Sequence, residues 1–454
     1  MKRIIVILFL LSVFFLGFLP VKDTDFGWHY RCGNQFLTTG KLCLTNEFSY
    51  FLPNYKAYYS GHLYDITLAF IYNHGGFLAV TILGALVFTS SALIFLYLIR
   101  AELLLRMFSF IVIFFLSFPI FNIGFRPQIL SYYFLLMLLF MLSQNSKKVF
   151  FVLPFLFFIW VNIHIGFFIG LIILIFYFFE NKPISQLEYS ITVVLSFIAT
   201  LINPFGINVY KEILNHLSSP LNSMIAEWVE PTLPHIIFVL IFTSIGILTL
   251  VRNKPLTLWK IFLLIFFSVL AIKARRNLPL FYTSFAFIFL GNIKINLEKF
   301  YTVSLPVLIS ILFFFIFVFV PETIHQDTIW SEYCTNGLTH YPCKALSKFS
   351  QLSGNVYAVY EWGGFLIWQK PNMKVFIDGR MPAWKDENGK SPYQVYLEII
   401  QTKDGWNEKL RQWQTNYLLI SPGTFLDLLL QKEAKKYQWE EEYRDTTAVI
   451  YKAL

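Results

Sequence analysis

The chain opens Met1-Lys2-Arg3, continues through an apolar run at 4–20 that closes on Phe18-Leu19-Pro20, and then reads Asp23-Thr24-Asp25-Phe26-Gly27-Trp28-His29-Tyr30-Arg31. A segment suited to hydrocarbon is followed at once by two carboxylates, a histidine and an arginine. Such groups are costly in lipid, so at a membrane boundary they face a cavity or a partner and are functional candidates by default. The run at 4–20 has no small-residue cleavage site, so it reads as a retained helix and not as a removed signal peptide.

Of the 454 residues, 56% are hydrophobic and only 14% charged, against roughly a quarter charged in a soluble domain. The pattern is that of an α-helical polytopic membrane protein. The net charge of +9 is scattered between apolar segments; a nucleic-acid surface would gather it on one face, so no nucleic-acid partner is expected. Apolar runs recur at 4–20, 77–99, 107–122, 129–143, 149–161, 165–180, 189–203, 234–251, 257–272, 278–292 and 302–320. Several are shorter than the ~20 residues of an upright span, so some are fused, tilted or re-entrant, and about eleven transmembrane helices are expected.

The short connections set the orientation. With the amino terminus in the cytoplasm, Arg100/Arg106, Lys147/Lys148, Lys182, Arg252/Lys254 and Lys294/Lys299 all fall inside, as the positive-inside rule requires. The other side then receives the loops 21–64 and 204–233, Arg126-Pro127-Gln128, Asn162-Ile163-His164, Lys273-Ala274-Arg275-Arg276 and the tail after 321. Cys32 and Cys43 lie in the first outer loop, Cys334 and Cys343 early in the tail. Two local disulfides in an oxidising compartment fit that placement; four unpaired thiols are the alternative.

The expected organisation is a membrane domain over 1–320 and an extracytoplasmic α/β domain over 321–454. Residues 61–76 read as an interfacial amphipathic helix leading into the second span, and a short helix is expected around 209–217. In the tail, 355–360, 364–368, 374–377, 417–420, 438–443 and 447–452 read as strands, and 393–412 and 424–435 as helices.

Asp23 and Asp25 are spaced so that an extended stretch puts both side chains on one face. Two carboxylates can share a divalent cation such as Mg²⁺ or Mn²⁺, or one can act as general base; the plain alternative is a helix cap. Beside Trp28, His29 and Arg31 the functional reading is favoured. Arg275 and Arg276, with Lys273, break the positive-inside pattern, and with Arg126 they suit a phosphate or pyrophosphate, whose oxygens match guanidinium forks. Snorkelling to anionic lipid is the competitor. His164 either lines a site or satisfies a bend between two short helices. Glu227, beside Trp228, and His62 are acceptor or metal candidates. Asp378-Gly379-Arg380 reads as a salt bridge that supports a turn.

These motifs, in this order, resemble the GT-C superfamily of polytopic glycosyltransferases, and within it poorly characterised bacterial relatives of the protein O-mannosyltransferase and aminoarabinose transferase group. The residues that carry the resemblance are Asp23, Asp25, Trp28, His29, Arg126–Gln128, Asn162, His164, Asn203–Gly206, Glu227, Trp228, Arg275, Arg276, Trp362–Gly364 and Phe376–Arg380. Gly27 departs from it, standing where an aromatic residue is common, and is expected to loosen the packing around the acidic pair. The resemblance implies transfer of a sugar from a polyprenyl-phosphate donor to a glycan, lipid or protein acceptor on the extracytoplasmic face. Asp23, Asp25 and His29 would be catalytic, and Arg126, Arg275, Arg276 and His164 would bind the donor. A transporter or flippase for a lipid-linked or anionic substrate, and a non-catalytic envelope assembly protein, are the alternatives. The first predicts charges at the bilayer midplane and paired broken helices, whereas here the charges sit at one edge.

Overall fold

Each apolar run holds a helix in the computed structural model, which describes residues 1–454 apart from 145, 181–183, 219–224, 226, 253–256, 325–339, 349–352 and 388. Lys182, Lys254 and Cys334 thus lie outside the described residues. Among the described residues, His62–Leu98, Leu233–Arg252 and Tyr301–Val318 are long and apolar enough to cross a membrane, and Leu103–Leu116, Pro127–Ser143, Phe167–Tyr177 and Gln186–Thr200 are shorter apolar helices. Helix length alone does not support the expected number of spans, because polar and proline steps such as Ser117-Phe118-Pro119 and Asn162-Ile163-His164 cut the runs short.

The chain divides into two compact units. The first comprises Met1–Lys22, Leu78–Val209 and Pro220–Ile324. Its helices start where the local chemistry allows. Pro127 occupies the first turn of Pro127–Ser143 and holds Arg126 before it in extended backbone, φ −153 and ψ 164. Ser185 and Glu188 form a reciprocal capping box at the start of Gln186–Thr200. Lys2–Leu16 packs along Tyr301–Ile324, and Lys147–Val161 along Gln186–Thr200. Large apolar side chains such as Phe151, Leu187 and Phe317 are exposed, which hydrocarbon tolerates and water does not.

The second unit comprises Asp23–Phe77, Tyr210–Ser219 and His325–Leu454, so the first loop shares a unit with the tail. Its sheet has strands β1 (Gly354–Ala358), β2 (Met373–Val375), β3 (Tyr417–Ile420), β4 (Trp439–Arg444) and β5 (Val449–Ala453), in the order β2-β1-β3-β5-β4. The β2-β1-β3 pairings are parallel, and β3-β5 and β5-β4 antiparallel. The first loop joins the β2 edge: Val375 donates its N–H to the Phe48 carbonyl at 3.0 Å, and Tyr50 donates to the Val375 carbonyl at 3.1 Å. Phe51 from the loop is buried with Tyr357, Phe376, Trp384, Trp406 and Trp439. The expected strand at 364–368 is instead a helix, Gly363–Gln369; a short apolar run has no period that separates the two states. The expected helix at 393–412 is two, Pro392–Ile400 and Trp406–Gln412, separated by Thr402 (φ 53) and Gly405 (φ 78) in left-handed backbone. The expected helix at 61–76 and the span after it are two helices within His62–Leu98, parted by a kink where Gly75 and Gly76 leave helical backbone and Gly76 has φ 60.

Gly27 does the reverse of what its departure from the family suggests. A Cβ at Gly27 would lie 1.8 Å from the Gly364 carbonyl oxygen, and one at Gly364 would lie 2.1 Å from the Thr24 carbonyl oxygen. Phe26–Thr39 and Gly363–Gln369 therefore meet backbone to backbone, and Gly27 tightens the region. Gly27→Ala is expected to destabilise the protein by roughly 1–3 kcal/mol through overpacking, read as a drop in thermal midpoint in detergent. Gly291→Ala, where the nearest atom is 4.0 Å away, should change stability by less than about 0.5 kcal/mol. Equal shifts for the two variants would show that the approach is not tight.

Candidate functional site

Asp23, Asp25 and His29 sit at the start of Phe26–Thr39. The stretch is a turn and not extended, so spacing by two does not align the acids on one face: Asp25 has φ −86 and ψ −10, and its N–H donates to Asp23 Oδ1 at 3.2 Å. Asp23 is buried, whereas Asp25 is half-buried. Asp25 holds the cap position but makes no side-chain cap hydrogen bond, so the cap reading does not account for its carboxylate. That carboxylate lies against Gly379, where an added Cβ would come within 1.8 Å of Oδ1.

One turn into the helix, His29 Nδ1 is 2.6 Å from Asp65 Oδ1. The Tyr59 hydroxyl donates to the same oxygen at 3.1 Å. Burial, followed by the charge of Asp65, holds the Tyr59 phenol well above its usual range, and Asp25 adds to this. Trp28 stacks on the His29 ring at 3.6 Å. His62 is buried with the Tyr59 ring edge-on at 5.6 Å.

Further polar groups of this unit come from the tail. Asp378 is fully buried and receives Arg380 in a two-pronged bond, Nε to Oδ1 at 2.8 Å and Nη2 to Oδ2 at 2.7 Å. Arg380 also donates to Asn46 Oδ1 at 3.2 Å, and its guanidinium lies over Phe48, Trp384 and Trp28 at 5.0, 5.5 and 5.8 Å. The expected internal salt bridge is present. It also ties the first loop to the tail. The Tyr360 phenol is raised by burial and then by Asp25 and Asp378, so it stands near both carboxylates.

In the first unit, Arg126, Glu227, Arg275 and Arg276 come together. Arg126 Nη1 donates to Glu227 Oε1. Arg276 and Arg275 donate their backbone N–H groups to the carbonyls of Glu227 and Val229, at 3.3 and 3.0 Å, and the Arg276 guanidinium stacks 3.9 Å over Trp228. Burial raises Glu227, but the charge and hydrogen bond of Arg126 and the charges of Arg276 and Arg275 outweigh it and hold the carboxyl low. Burial lowers Arg276 to about 10, partly offset by Glu227. Among the described residues, three guanidiniums bear on one carboxylate, which leaves a net positive site suited to an anion. A cation would be repelled by that net charge, and Glu227 is the carboxylate on which the three arginines bear.

His164 satisfies a bend. It lies between Lys147–Val161 and Phe167–Tyr177, its Nδ1 accepting the Gly166 N–H at 3.1 Å and lying 2.6 Å from Ser131 Oγ, which in turn accepts from Trp160 Nε1 at 2.8 Å. Cys32 and Cys43 are disulfide-bonded, and so is Cys343. Among the described residues no set of three or more His, Cys, Asp or Glu gathers as a complete metal centre. Asp23 and Asp25 offer the hard oxygen donors that Mg²⁺ or Mn²⁺ takes alongside phosphate and water.

Comparison with solved structures gives one consistent answer. The fold is similar to that of archaeal oligosaccharyltransferases. AglB from Archaeoglobus fulgidus, in complex with an inhibitory peptide and a dolichol-phosphate, matches with a TM-score of 0.59 at 10% identity, over 92% of this chain and 69% of that one. The same enzyme tethered to an acceptor peptide containing the NVT sequon matches with a TM-score of 0.58 at 13% identity, over 92% and 68%. Its complex with Zn and sulfate matches with 0.55 at 10% identity, over 99% and 72%. At 10–13% identity the likeness is one of fold alone, and it does not reach the narrower mannosyltransferase and aminoarabinose transferase group. No family model and no curated relative matches the sequence.

Sequence reasoning gave no role to Asp65, Tyr59 or Glu212. The signal for Asp65 was there: a carboxylate in an otherwise apolar helix, one turn after His62. Glu212, on Val209–Ser218, is buried, and burial raises it from 4.5 to about 7 despite a hydrogen bond from the Tyr58 backbone. The folded chain therefore holds this proton more tightly than the unfolded one. The stability it contributes is full below about 4.5 and is lost as the pH rises through about 7, by up to about 3 kcal/mol. Glu212→Gln should flatten that dependence, so its thermal midpoint relative to wild type should be higher at pH 8 than at pH 5. Parallel midpoint curves for the two proteins would show that Glu212 does not titrate this way.

Proposed function

We propose that this protein is an integral-membrane glycosyltransferase of GT-C type. It transfers a sugar from a polyprenyl-phosphate-linked donor to a glycan, lipid or protein acceptor on the extracytoplasmic face. The observation that carries the reading is the net positive cluster of Arg126, Arg275 and Arg276 around Glu227, in a chain whose fold is similar to that of an enzyme solved with dolichol-phosphate. The amino terminus is cytoplasmic, the membrane domain spans 1–320, and the tail over 321–454 and the loops 21–64 and 204–233 are extracytoplasmic.

In the reaction, the acceptor's nucleophilic atom bonds to the anomeric carbon as the bond from that carbon to the phosphate oxygen breaks, with inversion. The acceptor proton passes to Asp25, the more accessible of the two acids, while Asp23 holds the turn. The bonding electrons leave on the phosphate, whose charge the arginines stabilise. Asp23 and Asp25 would be the residues to hold Mg²⁺ or Mn²⁺, which would supply further charge neutralisation.

In reconstituted vesicles with a polyprenyl-phosphate sugar, Asp25→Asn is expected to lower kcat by roughly 100-fold or more, and Arg276→Ala to raise the KM for the donor. Full transfer by both variants would reject the assignment. The orientation has its own test. Cys32→Ser frees Cys43, and a membrane-impermeant maleimide should label that thiol in intact spheroplasts; labelling only after lysis would invert the topology.

A further inference from the structure

Gly379 sits in a turn that has little room to move. The Met381 N–H donates to the Asp378 carbonyl at 3.1 Å, and the Arg380 N–H donates to Asp378 Oδ1 at 3.0 Å, so main chain and side chain both close the turn over 378–381. Arg380 clamps it further. Besides its two-pronged bond to the buried Asp378 carboxylate, its Nη2 reaches Asn46 Oδ1 at 3.2 Å, and Asn46 Nδ2 donates in turn to the Phe51 and Leu52 carbonyls at 3.0 and 2.9 Å. The backbone leading into the turn is packed too: a Cβ at Gly363 would lie 2.4 Å from the Ile377 carbonyl oxygen and 2.9 Å from the Asp378 Cα. The Asp25 backbone is just as closely held, since a Cβ at Gly364 would lie 2.1 Å from the Thr24 carbonyl oxygen and 3.5 Å from the Asp25 Cα. Between these two fixed pieces of chain the Asp25 carboxylate rests on Gly379. A Cβ at Gly379 would lie 1.8, 2.7 and 3.0 Å from its Oδ1, Cγ and Oδ2. Those three nearest atoms are the whole carboxylate group, and none of them is backbone.

We infer that Gly379 is a positioning residue for the transfer reaction: the bare backbone of the turn over 378–381 is the seat that fixes the Asp25 carboxylate, so the tail completes the acidic site built on the first loop. A methyl group at position 379 would collide with a side chain that can rotate and not with main chain, so the fold survives while the carboxylate is turned out of place. Gly364 is the contrast, because a Cβ there meets the Thr24 carbonyl, which cannot swing aside. Displacing a reacting group by about 1 Å can cost on the order of 100-fold in rate. The inference rests on the transferase reading, which makes Asp25 the group that takes the acceptor proton, while the contact itself can be read without any activity.

The test uses the full-length chain in reconstituted vesicles with a polyprenyl-phosphate sugar. Gly379→Ala is expected to lower kcat by roughly 100-fold while the KM for donor changes little, and its thermal midpoint should fall less than that of Gly364→Ala. In an Asp25→Asn background the same substitution should lower kcat no further, because the group it displaces is already gone. A reading independent of activity comes from the chain carrying Asp25→Cys and Gly379→Cys together. Mild oxidation in membranes should join the two side chains, seen by mass spectrometry as a linked peptide pair, and this measurement decides if Gly379→Ala does not fold. Full kcat in Gly379→Ala overturns the inference. So does an equal further loss in the Asp25→Asn background, or the absence of the linked pair. If the pair links but the wild type transfers no sugar, the contact stands and the transferase reading fails separately.

Discussion

Two glycines hold the second unit together. Gly27 and Gly364 allow the helix after the acidic pair and the helix after Trp362 to meet backbone to backbone, with Thr24 and Asp25 at the contact. Any side chain larger than hydrogen would push the tail away from the turn that bears Asp25. The same contact brings Gly363 against Ile377 and Asp378, and Gly379 against the Asp25 carboxylate. The buried Asp378–Arg380 pair then braces that surface and draws in Asn46 and Trp28 from the first loop. A loop of a membrane protein is thus folded as part of a soluble-type core, with β2 as its edge and Phe51 inside.

Charge is handled differently in the two units. In the second unit three carboxylates have hydrogen-bond donors: Asp23 a backbone N–H, Asp378 the Arg380 guanidinium and Asp65 the Tyr59 hydroxyl. Around Glu227 the balance runs the other way, with guanidiniums in excess and Arg276 pushed down by burial. Burying cations against their desolvation cost is a poor way to stabilise a fold. It makes sense where an anion arrives to share them.

Much of the scheme was legible in the chain. Apolar runs located the helices, because hydrocarbon demands long apolar segments whatever the tertiary packing. The strands at the end of the tail lie within a residue or two of their expected places, since short runs with aromatic or β-branched residues between turn residues favour strand. The run at 364–368 and the break after Ile400 were not legible, because short segments take their state from the neighbours they pack against. Gly27 was misread for the same reason. A glycine inside a sequence looks like a loss of packing until the backbone it admits is seen.

The sequence by itself determined the apolar, helical class of the protein and singled out the candidate residues Asp23, Asp25, His29, Arg126, Glu227, Arg275 and Arg276. Composition and charge are properties of the chain and need no fold to be read. Only the tertiary structure decided who partners whom: Glu227 with the arginines, His164 with a helix bend, and Asp65, 36 residues away, with His29. The last of these pairings depends on a helix crossing permitted at a single glycine, Gly33. A crossing is set by contacts between segments far apart in sequence, which no local pattern records.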